Sequence, residues 1–326
     1  MLKKTMTLFF VMMSLFSWSC LVDEIFAVEA LSFGSYIGES SSLYFVGEKK
    51  DFFKKNDINL TIKAYEAGKL ALEDVLAGKI DVASLSDFAF VAKSFNQSNI
   101  RIIAITGLSE AQRLIVRKDR IQSIADVKGK KIAIMKKTSS EFGLGSFLEM
   151  NQLSFQDIQV VNLTPPQMLE SMKTGEIDGA LIWDPHIYKI KNELKDNAYV
   201  LSKNEIVPYH VILATTVEVI QKKTKAIEQL IKALLQAEAF LKENEAEAKE
   251  IVKARINDND DYIDHVWKNE SFSVSLPQSL LPTMEDLARW MIQIQLTDKQ
   301  TKPNYLNFIY FDALDKIKPG AVTIIH

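Results

Sequence analysis

The 326-residue chain has one cysteine, Cys20, and four histidines. It contains no CxxC pair, no HExxH and no histidine cluster, so zinc, haem and iron–sulfur centres lack a ligand set. Neither sign of charge is in excess. Thirty-nine Lys and Arg stand against 42 Asp and Glu, a formal net charge of -3. That balance excludes a basic nucleic-acid surface and an acidic tail. No nucleophile–base pair stands out either. The expectation is a non-enzymatic protein with no metal, no cofactor and no nucleic-acid partner.

The N-terminus carries an apolar run. Lys3 and Lys4 precede Leu8 to Leu15, and the run continues with interruptions to Val22. It is short for a membrane span and holds Ser14, Ser17 and Ser19. It therefore reads as a secretory signal peptide over residues 1–30. Two processing routes stay open. Val28-Glu29-Ala30 fits cleavage before Leu31; alternatively Cys20 is a lipid-attachment residue, although Trp18 and Ser17 depart from the usual Leu-Ala-Gly pattern. Both place the mature body outside the cytoplasmic membrane, in the periplasm, either free or anchored through Cys20. If Cys20 is removed, no disulfide can form.

The length suits two domains, and a hydrophobic content of 47% supports sizeable cores. The most organised stretch is Leu163–Pro185, LTPPQMLESMKTGEIDGALIWDP. Thr164 is an N-cap, Pro165 suits the first helical turn, and Gln167 closes a capping box. Met168, Leu169 and Met172 form one apolar helix face. Gly175 ends the helix in a left-handed conformation. Ile177–Trp183 is then a short apolar run of the kind a parallel strand buried on both faces requires. Asp184-Pro185 restarts a helix, with Asp as cap and Pro at its first position. The unit has an echo. Leu72, Glu73, Gly78, Ile80, Asp81 and Ala83 match Leu169, Glu170, Gly175, Ile177, Asp178 and Ala180 at a constant offset of 97 residues. Two copies of one helix–turn–strand unit point to two similar α/β lobes.

Polar loops follow the expected strands. Ser32–Ile37 leads into Gly38-Glu39-Ser40-Ser41. The first copy of the repeat ends at Ser84-Leu85-Ser86-Asp87, and Ile132–Met135 opens into Lys136-Lys137-Thr138-Ser139-Ser140. Hydroxyls and free N–H groups at a helix start favour polar or anionic groups. The carboxyl ends of strands are where open α/β sheets bind ligands. Gly143 and Gly145 lack the third glycine of a dinucleotide loop. Extended segments near Arg113 and over Tyr209–Thr215 are expected to carry the chain between lobes, with His210 at the start of the second. From Val217 onward the pattern is helical. Ile227, Leu230, Ile231, Leu234, Leu235 and Leu241 mark one face of a long amphipathic helix.

Three stretches, Tyr65–Asp87, Lys136–Gly143 and Leu163–Pro185, make the chain resemble the substrate-binding proteins of bacterial ABC importers. The group resembled takes aliphatic sulfonates, taurine, nitrate or thiamine-precursor pyrimidines. The resemblance covers Ser32 to about Thr215. It implies two doubly wound α/β lobes joined by a two-strand hinge, the type II periplasmic binding fold. Residues 31–112 and 213–326 would form a discontinuous first lobe, and residues 113–212 the second. It implies ligand contacts from Ser40, Ser41, Ser84, Ser86, Thr138, Ser139, Ser140, Trp183 and Asp184, and His210 at the start of the second crossing is a further expected ligand contact. It also implies a small polar ligand, sulfonate-like, taurine-like or pyrimidine-like, a membrane permease as partner, and a monomer. Lys137 and Thr138 stand where sulfonate binders tend to have a glycine. Glu39 and Glu141 flank two ligand loops; facing the cleft, they would repel a simple anion and favour a zwitterion or a neutral or cationic heterocycle. Two other readings share the fold: an enzyme similar to the thiamine-pyrimidine synthases, for which only His186 and His210 lie near suitable loops, and a stand-alone scavenging or sensing receptor.

Overall fold

A computed structural model describes residues 28–201 and 207–326. Cys20 and most of the expected signal peptide lie outside the described residues. The strands are β1 (Glu29–Tyr36), β2 (Ile58–Tyr65), β3 (Val82–Ser86), β4 (Ile100–Ser109), β5 (Gln112–Arg117), β6 (Lys131–Ile134), β7 (Gln159–Asn162), β8 (Gly179–Trp183), β9 (Ala198–Val200), β10 (Tyr209–Thr216) and β11 (Glu270–Ser275). They form two sheets. One is six-stranded in the order β11-β4-β10-β3-β1-β2, the other five-stranded in the order β7-β6-β8-β5-β9.

Each sheet has a parallel part at one end, β2–β1–β3 in one and β7–β6–β8 in the other. In each, a strand adjoining a chain crossing runs antiparallel to its neighbours. β5 enters the second sheet straight after β4 and opposes β8, and β10 returns to the first sheet between β3 and β4. The chain leaves the first sheet at Glu110-Ala111 and is back in it by Tyr209.

The repeat is real in three dimensions. Helix Gly68–Leu76 runs through Gly78 (φ 69°) into β3, and helix Pro165–Thr174 runs through Gly175 (φ 77°) into β8. The Thr164 N–H donates to Gln167 Oε1 at 2.9 Å, so the capping box forms. All five residues of β8 are buried. Two expectations for this stretch change. β8 is parallel to β6 but antiparallel to β5. The next helix starts at His186, with Pro185 as its N-cap residue rather than its first helical residue.

The largest core fills the six-stranded half. It joins Phe33, Val82, Ile103 and Leu213 to Ile227, Leu230, Ile231 and Leu234 of the long helix Val217–Glu243. The five-stranded half has a separate cluster on each face, one around Leu114 and Phe147, the other around Met168 and Ile182. β11 interrupts the helical C-terminal region as an edge strand on β4. Its Ser-Phe-Ser-Val-Ser alternation is too short to stand out locally; pairing with a strand some 160 residues earlier defines it.

Candidate ligand-binding site

Between the two sheets lies a narrow cavity of about 50 Å³, room for a few water-sized groups. Its wall comes from the carboxyl ends of the strands: Tyr36, Ser40 and Ser41 after β1, Ala67 to Lys69 after β2, Ser84 to Ser86 closing β3, Thr138 and Ser139 after β6, and Trp183 closing β8. Tyr209 and Val211 of β10 complete it.

Four helices begin at this wall: Ser42–Lys49, Gly68–Leu76, Asp87–Ser94 and Ser139–Met150. Each brings unsatisfied N–H groups and the positive end of its dipole. Ser86 Oγ accepts the N–H of Ala89 at 3.3 Å, and Thr138 caps the last helix by accepting the N–H of Ser140 at 3.3 Å. Gly68 fits because any Cβ there would stand 2.5 Å from the carbonyl oxygen of Ser84. Among the described residues, the one cation in the wall is Lys69. Its Nζ reaches across to donate to the carbonyl of Lys136 at 2.7 Å, and burial holds its pKa below the usual lysine range.

The hydroxyls divide into two sets. Ser41 Oγ is 2.8 Å from Ser35 Oγ, Ser84 Oγ accepts from Tyr44 at 3.3 Å, and Thr138 Oγ1 donates to the carbonyl of Met135 at 2.6 Å. These are occupied in building the loops. Ser40 and Ser139 have no hydrogen-bond partner among the described residues.

Seven of the ten residues expected at the site line the cavity: Ser40, Ser41, Ser84, Ser86, Thr138, Ser139 and Trp183. Three do not. Ser140 is fully buried and its Oγ accepts the N–H of Met135 at 3.2 Å, holding the loop from behind. Asp184 is buried, and its Oδ1 accepts the N–H of Tyr188 at 3.2 Å, as a helix cap. His210 puts Nδ1 3.0 Å from Asp87 Oδ2 and donates its backbone N–H to the same oxygen at 2.9 Å, which ties β10 to the helix beside it.

Tyr36, Lys69 and Tyr209 were not singled out from the sequence. Tyr36 crosses between the halves, donating its hydroxyl to the carbonyl of Asp184 at 3.0 Å. A local signal existed only for Lys69, which follows Gly68 at a helix start.

Glu39 and Glu141 do not face the cavity. Glu39 is buried and accepts from Tyr262 at 2.7 Å. Burial, reinforced by the nearby Asp184 carboxylate, pushes its pKa up to about 8, so it is largely protonated at neutral pH. Glu141 Oε2 accepts the N–H of Lys137 at 2.7 Å, and burial raises its pKa too. Neither carboxylate opposes an anion in the cavity at close range.

Residues 40–248 match the family model described as NMT1/THI5 like. Over 214 residues the chain is 22% identical to a putative binding protein of Brucella abortus (strain 2308), covering 65% of this chain and 66% of that relative, just under two thirds of its length. Over 127 residues it is 31% identical to a putative aliphatic sulfonates-binding protein of Escherichia coli (strain K12), covering 37% of this chain and 39% of the relative. In three dimensions it is similar to the alkanesulfonate-binding protein of Xanthomonas axonopodis pv. citri bound to MOPS, with a TM-score of 0.75 at 17% identity over 87% of this chain and 99% of the other. The shared fold is that of the periplasmic binding proteins, and the chain belongs to the NMT1/THI5-like family.

Proposed function

We propose that this protein is the extracytoplasmic solute receptor of an ABC importer. It captures a small molecule ending in a sulfonate or similar oxyanion between two closing lobes and presents it to a membrane permease. The first lobe is the half built on the six-stranded sheet, the second the half built on the five-stranded sheet, and β5 and β10 adjoin the hinge. The convergence of four helix N-termini on one cavity carries the reading, because backbone N–H groups and helix dipoles favour an anionic head without needing a full counter-charge. Lys69 adds a cation, and Ser40 and Ser139 add hydroxyl donors with no other engagement among the described residues. Trp183 walls the ligand's apolar part. The named binding functions of the E. coli and Xanthomonas relatives support the same class.

Binding needs no bond chemistry: the ligand stabilises the closed form by its greater affinity for it. Neither His186 nor His210 lines the cavity, which leaves the alternative of a pyrimidine synthase without a reactive imidazole at the ligand.

A thermal-shift screen tests the class. Taurine, short alkanesulfonates, sulfate, nitrate and hydroxymethylpyrimidine are each added to the purified protein. A ligand at about 100 times its Kd stabilises by about 2.7 kcal/mol. Sulfonates are expected to raise Tm. A rise with the pyrimidine alone would overturn the oxyanion reading.

A further inference from the structure

Helix Leu280–Gln293 belongs to the six-stranded half, where Met284, Ala288 and Met291 enter the core. Trp290, on the same helix, is only 7% exposed and belongs to that core, yet its ring also meets aromatic rings of the other half. The Phe142 ring stands perpendicular to it with centroids 5.1 Å apart, and that of Phe155 lies at 6.4 Å. Phe142 sits on helix Ser139–Met150, and Phe155 opens the turn that leads into β7. Phe88 of the first half closes the cluster, 6.0 Å from Trp290 and 6.1 Å from Phe142. Phe155 packs against the cores of both halves.

The second half has a notch shaped for the indole. Gly145 is in the interior of helix Ser139–Met150, a position where glycine weakens a helix relative to alanine. A Cβ at Gly145 would lie 2.3 Å from Cζ2 of Trp290. The missing side chain is therefore the space the ring occupies. Trp290 Nε1 is buried without a hydrogen-bond partner, so shape and dispersion alone hold the ring, and withdrawal to water would restore its hydrogen bond. Trp290 is not part of the ligand cavity. A second cavity of about 200 Å³, lined by Phe88, Phe142, Leu287 and others, shares Ser139 and Tyr209 with the first.

We propose that Trp290 is a positioning residue for closure, an aromatic latch that docks in the Gly145 notch and raises the closed fraction before any ligand arrives. This rests on the reading of two lobes that close. Apparent affinity scales with the fraction of molecules in the competent state. Losing several aromatic contacts, each favourable beyond its area burial, therefore weakens binding without touching the ligand.

Small-angle scattering on the ligand-free protein tests the latch without assuming a ligand. Trp290→Ala and Gly145→Ala, the second of which places a methyl group in the notch, are expected to increase the radius of gyration. Trp290→Phe is expected to recover much of the compact form. Calorimetry with taurine and with propanesulfonate should show an apparent affinity roughly tenfold weaker in the first two variants, the size expected for one to two lost aromatic contacts. Should Trp290→Ala lose cooperative unfolding, Gly145→Ala and Phe142→Leu carry the same comparison. Unchanged dimensions in folded Trp290→Ala and Gly145→Ala would overturn the latch. Failure of the wild type to bind any sulfonate would instead count against the proposed ligand class, and the scattering result would still decide the latch.

Discussion

Asp81 and Asp178, 97 positions apart, make the same pair of bonds in the two halves. The N–H of Asp81 donates to the carbonyl of Ser32 at 3.0 Å, and the N–H of Ser32 donates back to Asp81 Oδ2 at 2.7 Å. The N–H of Asp178 donates to the carbonyl of Lys131 at 2.9 Å, and the N–H of Lys131 donates back to Asp178 Oδ2 at 2.9 Å. Each carboxylate also holds a cation, Lys223 at 2.9 Å and Arg120 at 3.2 Å. Each aspartate thus bolts the strand of its own repeat to the neighbouring strand, at the sheet end opposite the ligand.

Asp81→Ala and Asp178→Ala should therefore be stability variants. Each removes charge-assisted bonds to a backbone N–H and leaves that donor short of a partner, a loss of about 2–3 kcal/mol. Urea unfolding would register it as a lower midpoint. Ligand affinity of the folded fraction should stay within about twofold, a change of less than about 0.5 kcal/mol.

The serines should separate by role. Ser40→Ala and Ser139→Ala remove hydroxyls with no internal partner. Each is expected to weaken sulfonate binding by about 1.5–3 kcal/mol, the range for hydrogen bonds to charged groups, with little change in Tm. Thr138→Ala should lower stability by about 1 kcal/mol through loss of a helix cap. Calorimetry and thermal unfolding on the same samples would measure both. Equal Tm losses in all three variants would contradict the division.

Lys69 is the wall's one cation among the described residues and should set charge preference. Lys69→Met is expected to lower affinity for a sulfonate by about 1.5–3 kcal/mol, roughly ten- to a hundredfold. It should also flatten the dependence of binding on ionic strength, since screening acts on the charge that is lost. Isothermal titrations at low and high salt measure both effects. A neutral ligand losing as much affinity as the sulfonate would show that Lys69 acts by shape.

Glu39 gives stability a pH dependence of definite sign. Its pKa rises from 4.5 to about 8 on folding, chiefly through burial and then through repulsion from Asp184. Between those values the folded protein holds a proton that the unfolded chain has released. Its contribution is fully present below about pH 4.5 and is lost as pH rises through about 8. Glu39→Gln, which mimics the protonated acid beside Tyr262, should flatten the fall in Tm between pH 5 and 9. An unchanged slope in the variant would rule Glu39 out as its source.

Much of the second half was legible in the sequence because its signals are local. A capping box, a glycine at a helix end and a buried apolar run act over a few residues, so Leu163–Trp183 was readable as helix, turn and strand. Its copy at Leu72–Ala83 was readable from register alone. Serines at strand ends were recognisable for the same reason: a hydroxyl at a helix start either caps the helix or faces the site, and both uses mark the same loop. The start of the next helix differs by one residue, within the range over which helix ends are defined.

The sequence by itself determined the elements, the duplicated unit and the polar loops that ring the cavity, because capping and periodicity depend on near neighbours. Tertiary structure alone decided which of those polar groups stay free. Ser140 is engaged because it meets the backbone of Met135, whereas the adjacent Ser139 hydroxyl has no partner among the described residues. Glu39 is neutralised because the fold buries it, next to Asp184, which is distant along the chain. Gly145 has a use only once Trp290 fills the space beside it. Hydrogen-bond saturation, desolvation and steric fit are set by neighbours in space, and those neighbours are defined only when the two sheets come together.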